Sequence, residues 1–114
     1  MNLLIRLLIT TILVFVIAYF LPGITVVNLT ASLIVAIVLG FLNLFLKPIL
    51  VFLTIPATII TLGLFLLVIN AVIVLIADHF VSGFQVSGFW SALFFSILLS
   101  VGQSIMNKIL VNEE

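Results

Sequence analysis

The chain has 114 residues, of which 67% are hydrophobic and 5% charged, with a mean hydropathy of +1.72, no cysteine and a formal net charge of zero. Soluble domains carry about 25% charged residues and a domain this small leaves much of its surface wet, so lipid must be the solvent for most of these side chains. Three basic against three acidic residues exclude an electrostatic nucleic-acid interface, and the missing cysteines exclude disulfides, a thiol nucleophile and a Cys-ligated metal.

A helix needs roughly 20 apolar residues to cross the hydrocarbon core. The first such stretch is residues 3–21, closed by Pro22-Gly23, a pair that stops helices. Arg6 precedes its apolar run and no small-x-small cleavage site follows, so it reads as an uncleaved first membrane helix. The second span is predicted over 30–46, interrupted at Lys47-Pro48, the third over 62–80 and the fourth over 89–110. The whole, 1–114, reads as a single integral membrane domain. Asn28-Leu29-Thr30 is a sequon in form and a helix N-cap in function.

Residues 47–61 are as apolar as the spans yet contain Pro56. Irregular backbone is not tolerated against lipid, so this Pro-containing connection is either a helical hairpin extending spans two and three or a re-entrant pair of half-helices. Thr54, Thr58 and Thr61 fall at i, i+4 and i+7, on one helical face, where their hydroxyls can bond carbonyls freed by Pro56. With four spans, Arg6, Lys47 and Lys108 share one side and Asp78 and His79 the other. Basic residues stay cytoplasmic, which predicts both termini inside a bacterial cytoplasmic membrane. Tyr19, Trp90 and the phenylalanines near them gather at the outer boundary, where aromatic rings prefer to sit.

The chain also matches itself at an offset of sixty residues. Leu21-Pro-Gly-Ile-Thr-Val aligns with Val81-Ser-Gly-Phe-Gln-Val, Thr10 meets Asn70, and Gly40, Asn43 and Lys47 meet Ser100, Gln103 and Asn107. The unit is helix, outer turn, helix, used twice in the same orientation. Such parallel repeats are related by an axis along the membrane normal. The expected fold is therefore an all-α membrane protein of four transmembrane helices, arranged as two pseudo-twofold-related helical hairpins. The short outer turns are β-branched enough to pair briefly as strands.

Polar residues inside the spans are the candidate site. Ser96, Ser100, Gln103 and Asn107 stripe span four, Asn43 and Lys47 mark span two, Asn70 lies in span three and Thr10 in span one. In lipid, such groups either line a polar path or act as interhelical glue. Lys47 can also snorkel to headgroups. No ionisable residue sits at mid-membrane, which argues against a proton-coupled transporter. Asp78 and His79 supply too few ligands for zinc. No Ser–His–acid set, paired carboxylates or phosphate-binding glycine loop occurs, so no enzyme, cofactor or metal site is expected.

The runs Tyr19-Phe-Leu-Pro-Gly-Ile, Gly40-Phe-Leu-Asn43-Leu-Phe-Leu-Lys47-Pro48, Leu53-Thr-Ile-Pro56 through Gly63 to Asn70-Ala, and Gly83-Phe84-Gln-Val-Ser-Gly88-Phe89-Trp90 resemble the four-span mycobacterial phage holin family, superfamily IV. The resemblance spans essentially the whole chain and is most specific from Asn43 to Asn70. Family members often carry asparagine where Thr10 stands and proline where Ser82 stands. The resemblance implies a bacterial membrane protein that oligomerises and permeabilises the cytoplasmic membrane. Two other readings stay open: a non-lytic structural or envelope-stress protein working through a membrane-protein partner, and a small channel or transporter. The expected contacts are thus the lipid bilayer, further copies of the chain or another membrane protein, and no nucleic acid.

Overall fold

Pro22 and Gly23 do at the end of the first helix what their chemistry requires. In the computed structural model, which describes residues 3–111, helix α1 (Leu3–Phe20) ends as the Leu21 N–H donates to Ile17 O at 2.8 Å. Gly23 then turns the chain at φ +93°, a conformation that only glycine adopts freely. Strand β1 (Ile24–Val26) follows, and Asn28 opens the next helix by accepting the Ala31 N–H on its side-chain oxygen at 2.8 Å. The Asn-Leu-Thr run is thus an N-cap.

Helix α2 (Leu29–Phe41) does not stop at Lys47-Pro48, where the sequence reading interrupts it. It passes through a π-helical turn (Leu42–Leu46) into α3 (Lys47–Leu53), one helical run of 25 residues. Proline has no N–H and its ring crowds the carbonyl four residues back. The ladder widens just ahead of it, so that the Lys47 N–H reaches Leu42 O, five residues back, and the helix survives the proline.

The run breaks at Thr54, and α4 (Ile55–Ile60) starts with Pro56 in its first turn. Thr54 Oγ1 donates to Leu50 O at 2.7 Å and Thr61 Oγ1 to Ala57 O at 2.9 Å, while the buried Thr58 Oγ1 has no partner among the described residues. Two of the three threonines therefore bond carbonyls in their own helical turns. Leu62 and Gly63 close α4 with positive φ, their N–H groups bonding Ile59 O and Thr58 O at 3.1 and 2.8 Å. That is the Schellman arrangement, with leucine where glycine is usual.

Helix α5 (Phe65–Phe80) consequently has only 16 residues, a rise of about 24 Å. Strand β2 (Phe84–Val86) and helix α6 (Phe89–Val111) complete the chain. By length and composition, α1, the Leu29–Leu53 run and α6 each suffice to cross a membrane, and α5 is a shorter apolar helix. The structure is mostly helical, with three candidate spans and this fourth, shorter one.

The strands pair antiparallel as Ile24↔Val86, Thr25↔Gln85 and Val26↔Phe84. The Val27 N–H donates to Gly83 O at 3.0 Å and, sixty residues on, the Ser87 N–H donates to Gly23 O at 2.8 Å. A Cβ on Gly83 would meet Val27 and Ala31, and one on Gly23 would meet Ser87 and Ser91, again sixty residues apart. Val14, Val35 and Leu39 are buried, as are their counterparts Val74, Phe95 and Leu99.

Beneath the ribbon lies the core. Phe84 and Phe95 are fully buried with ring centroids 5.6 Å apart, and Ile73, Val14 and Val35 surround the same region. Ala36, Ala71, Ala77, Ala92 and Ser32 are also buried. Lipid offers no hydrophobic drive to bring helices together, so close packing over small residues does it. Burial ends at the level of Ile9, Leu39, Ile69 and Leu99; no residue of the π turn, α3 or α4 is buried.

A candidate functional site: the polar cleft at the basic end

Arg6 and Thr10 are one helical turn apart on α1, as Gln103 and Asn107 are on α6, so each pair shares a face. The two faces meet. Gln103 Nε2 donates to Thr10 Oγ1 at 2.8 Å, a side-chain bond between residues 93 apart in the chain. Gly102, beside it, lets α1 approach: a Cβ there would lie 2.9 Å from Leu13 Cδ2.

This bond borders a cleft of about 330 Å³ between α1, α2 and α6. Its polar lining is Arg6, Thr10, Gln103 and Asn43, the last placed by the π turn; Leu3, Leu7, Leu39, Leu44 and Leu99 supply apolar wall. A smaller hollow of about 40 Å³ shares Arg6, Thr10 and Gln103 and adds Ile9 and Asn107. The polar groups are one guanidinium, three primary amides and a hydroxyl, a set rich in donors. Between the cleft and the ribbon, the bundle is filled by the apolar core.

The polar residues singled out in the sequence divide among three environments. Thr10, Asn43, Gln103 and Asn107 line the cleft and its side hollow. Ser96 is buried, its Oγ donating to Leu93 O at 2.8 Å, so it satisfies its own helix. Lys47 and Asn70 are half-buried and Ser100 is exposed, all three outside the cleft lining. Asn43 and Asn70, which stand sixty residues from Gln103 and Thr10, form no side-chain hydrogen bond with each other among the described residues.

Arg6 lines both hollows, whereas the sequence alone marks it only as an indicator of orientation. Its spacing from Thr10, one turn along the same face, was the available signal. At the ribbon end, Tyr19, Phe20, Phe80, Phe89 and Trp90 are exposed, and Tyr19–Phe20 and Phe89–Trp90 stack edge to face.

The family model for mycobacterial 4 TMS phage holin, superfamily IV, matches residues 1–105. The chain is 35% identical over 105 residues to the uncharacterized membrane protein YvlD of Bacillus subtilis (strain 168), covering 91% of this chain and 88% of that one. It is 41% identical over 81 residues to the uncharacterized protein SCO3922 of Streptomyces coelicolor (strain ATCC BAA-471 / A3(2) / M145), covering 68% of this chain and 65% of the relative, just under two thirds of its length. No solved structure matches. With a match over residues 1–105, and with apolar helices fit for lipid, the chain belongs to the four-span phage holin family of superfamily IV.

Proposed function

We propose that this is a holin-like, non-catalytic protein of the bacterial cytoplasmic membrane, with both termini inside, that permeabilises the membrane by lateral assembly of copies. Each copy is a pair of pseudo-twofold-related hairpins, the axis passing through the Thr25–Gln85 pair. The strand register and the matched Gly23 and Gly83 contacts support that symmetry. Arg6, Lys47 and Lys108 mark the cytoplasmic side, and the π turn and α4 connect the hairpins there.

The observation carrying assembly is the outward placement of small and polar residues. Gly40, Asn43, Ser100 and Asn107 are exposed, while the bundle's own centre is filled with apolar side chains. A filled bundle has no room to conduct, and outward polar groups in lipid favour partners. Gly40 has nothing within 4 Å of a Cβ built on it, which leaves space for a neighbouring helix to pack closely. Regulated expression with a potential-sensitive dye tests this. Depolarisation should follow accumulation and be lost in the Ser100→Leu variant, outside the cleft, at equal membrane levels. Harmless accumulation of the unaltered chain would overturn it.

A second reading, a non-lytic envelope protein acting through a different membrane protein, is favoured by the Thr10–Gln103 bond, which uses Gln103 of the stripe and Thr10 of α1 within one copy. It predicts unchanged potential and co-purification of a defined partner.

A further inference from the structure

We propose that the cleft at the basic end binds the phosphate of one inner-leaflet anionic phospholipid, with Arg6 as its principal anchor. The inference needs the bundle to lie in a bilayer with this end at the cytoplasmic face, but not that copies assemble, so depolarisation and lipid binding can fail separately.

The chemistry of the lining selects an anion. Among the described residues, Arg6 is the only charged group on the cleft and no carboxylate lines either hollow. Among the described residues Arg6 makes no ion pair, and the carboxylate described among them, Asp78, ends α5 beside the ribbon at the opposite end. A guanidinium presents a fork of N–H donors suited to phosphate oxygens. Asn43 adds an amide donor from the π turn across the cleft and Asn107 one at the side hollow, and both are exposed. Gln103 already spends one N–H on Thr10, which fixes its carboxamide at the cleft wall and leaves its second N–H for a ligand.

The shape selects a lipid over a free ion. At about 330 Å³, the cleft falls in the range of small-molecule sites, about 300–1,000 Å³, and is larger than an inorganic phosphate needs. Its walls change character along their length. Leu7, Leu39 and Leu99 continue from the polar mouth toward the core, an apolar surface that fits glycerol and the start of an acyl chain. The same end carries all three of the chain's basic residues, where headgroup phosphates lie.

The test uses the full chain purified in a neutral detergent, stripped of lipid and titrated in native mass spectrometry with phosphatidylglycerol, diacylglycerol or inorganic phosphate. One phosphatidylglycerol should be retained, and diacylglycerol, which lacks the phosphate, should bind at least about tenfold more weakly. Arg6→Gln should lose about the same factor, Arg6→Lys less, and Lys108→Gln, outside the cleft, nothing. A circular dichroism spectrum matching the unaltered chain shows that Arg6→Gln has folded, and Asn43→Leu supplies a second weakened variant that keeps the charge. Equal retention by Arg6→Gln and the unaltered chain, or equal binding of diacylglycerol, would overturn the phosphate assignment. Saturation by inorganic phosphate with no lipid retained would overturn the lipid one.

Discussion

At Gly23 the backbone sits at φ +93°, and a Cβ there would overlap the Ser87 and Ser91 hydroxyls, which bond one another at 2.6 Å. Both the conformation and the space exclude a side chain. Gly23→Ala should therefore destabilise the fold by about 1–3 kcal/mol. Gly40, in a helix and facing open space, should tolerate alanine, with a gain approaching about 1 kcal/mol. Reversible unfolding in mixed micelles measures both. Equal costs at the two positions would contradict the geometry. Pro22-Gly23 reads directly from sequence as a turn because its residue types have narrow conformational meaning. Ser96 and Ser100 do not read this way. They share a helical face in the sequence, yet Ser96 is buried and Ser100 exposed, because burial depends on which side of α6 its neighbours cover at each turn.

The Thr10–Gln103 bond ties the first helix to the last. Interhelical side-chain bonds in membrane proteins are worth about 0.6 kcal/mol on average, so Thr10→Val and Gln103→Leu should each cost a modest amount. A double-mutant cycle should return a coupling of about 0.5–1.7 kcal/mol; zero coupling would remove the bond from the account. Apolar run lengths place α1 and α6 from sequence alone. The pairing of Thr10 with Gln103 is not legible there, because it depends on helix rotation and on Gly102 admitting Leu13. The π turn is missed for a related reason. A proline normally ends a helix, and nothing in Leu42–Leu46 announces that the ladder will widen before it. Since that turn places Asn43 on the same cleft as Arg6, the cleft itself is hidden from one-dimensional reading, even though three of its four polar residues, Thr10, Asn43 and Gln103, stand out in the sequence.

For the whole molecule, the repeat is the feature most legible in sequence, since glycines sixty residues apart mark both turns. Both strands then pair about Thr25 and Gln85, and the two ends differ in character. One is a ribbon ringed by exposed aromatic side chains, and the other is a donor-rich cleft lined by Arg6, at the end that also carries Lys47 and Lys108. An apolar core separates them. This polarity predicts how the molecule sits in the membrane. Aromatic rings belong at an interface and basic residues on the cytoplasmic side, so the expected placement has the cleft facing inward and the ribbon outward.

Cysteine labelling tests that placement most directly, because the natural chain has no cysteine. Single cysteines are introduced at Thr25 and Gln85 on the ribbon and at Ile109 near the end of α6, all exposed positions that leave the basic residues in place. A membrane-impermeant maleimide should label the two ribbon positions in intact spheroplasts and Ile109→Cys only after lysis. Labelling of Ile109→Cys from outside, with the ribbon positions protected, would contradict the account.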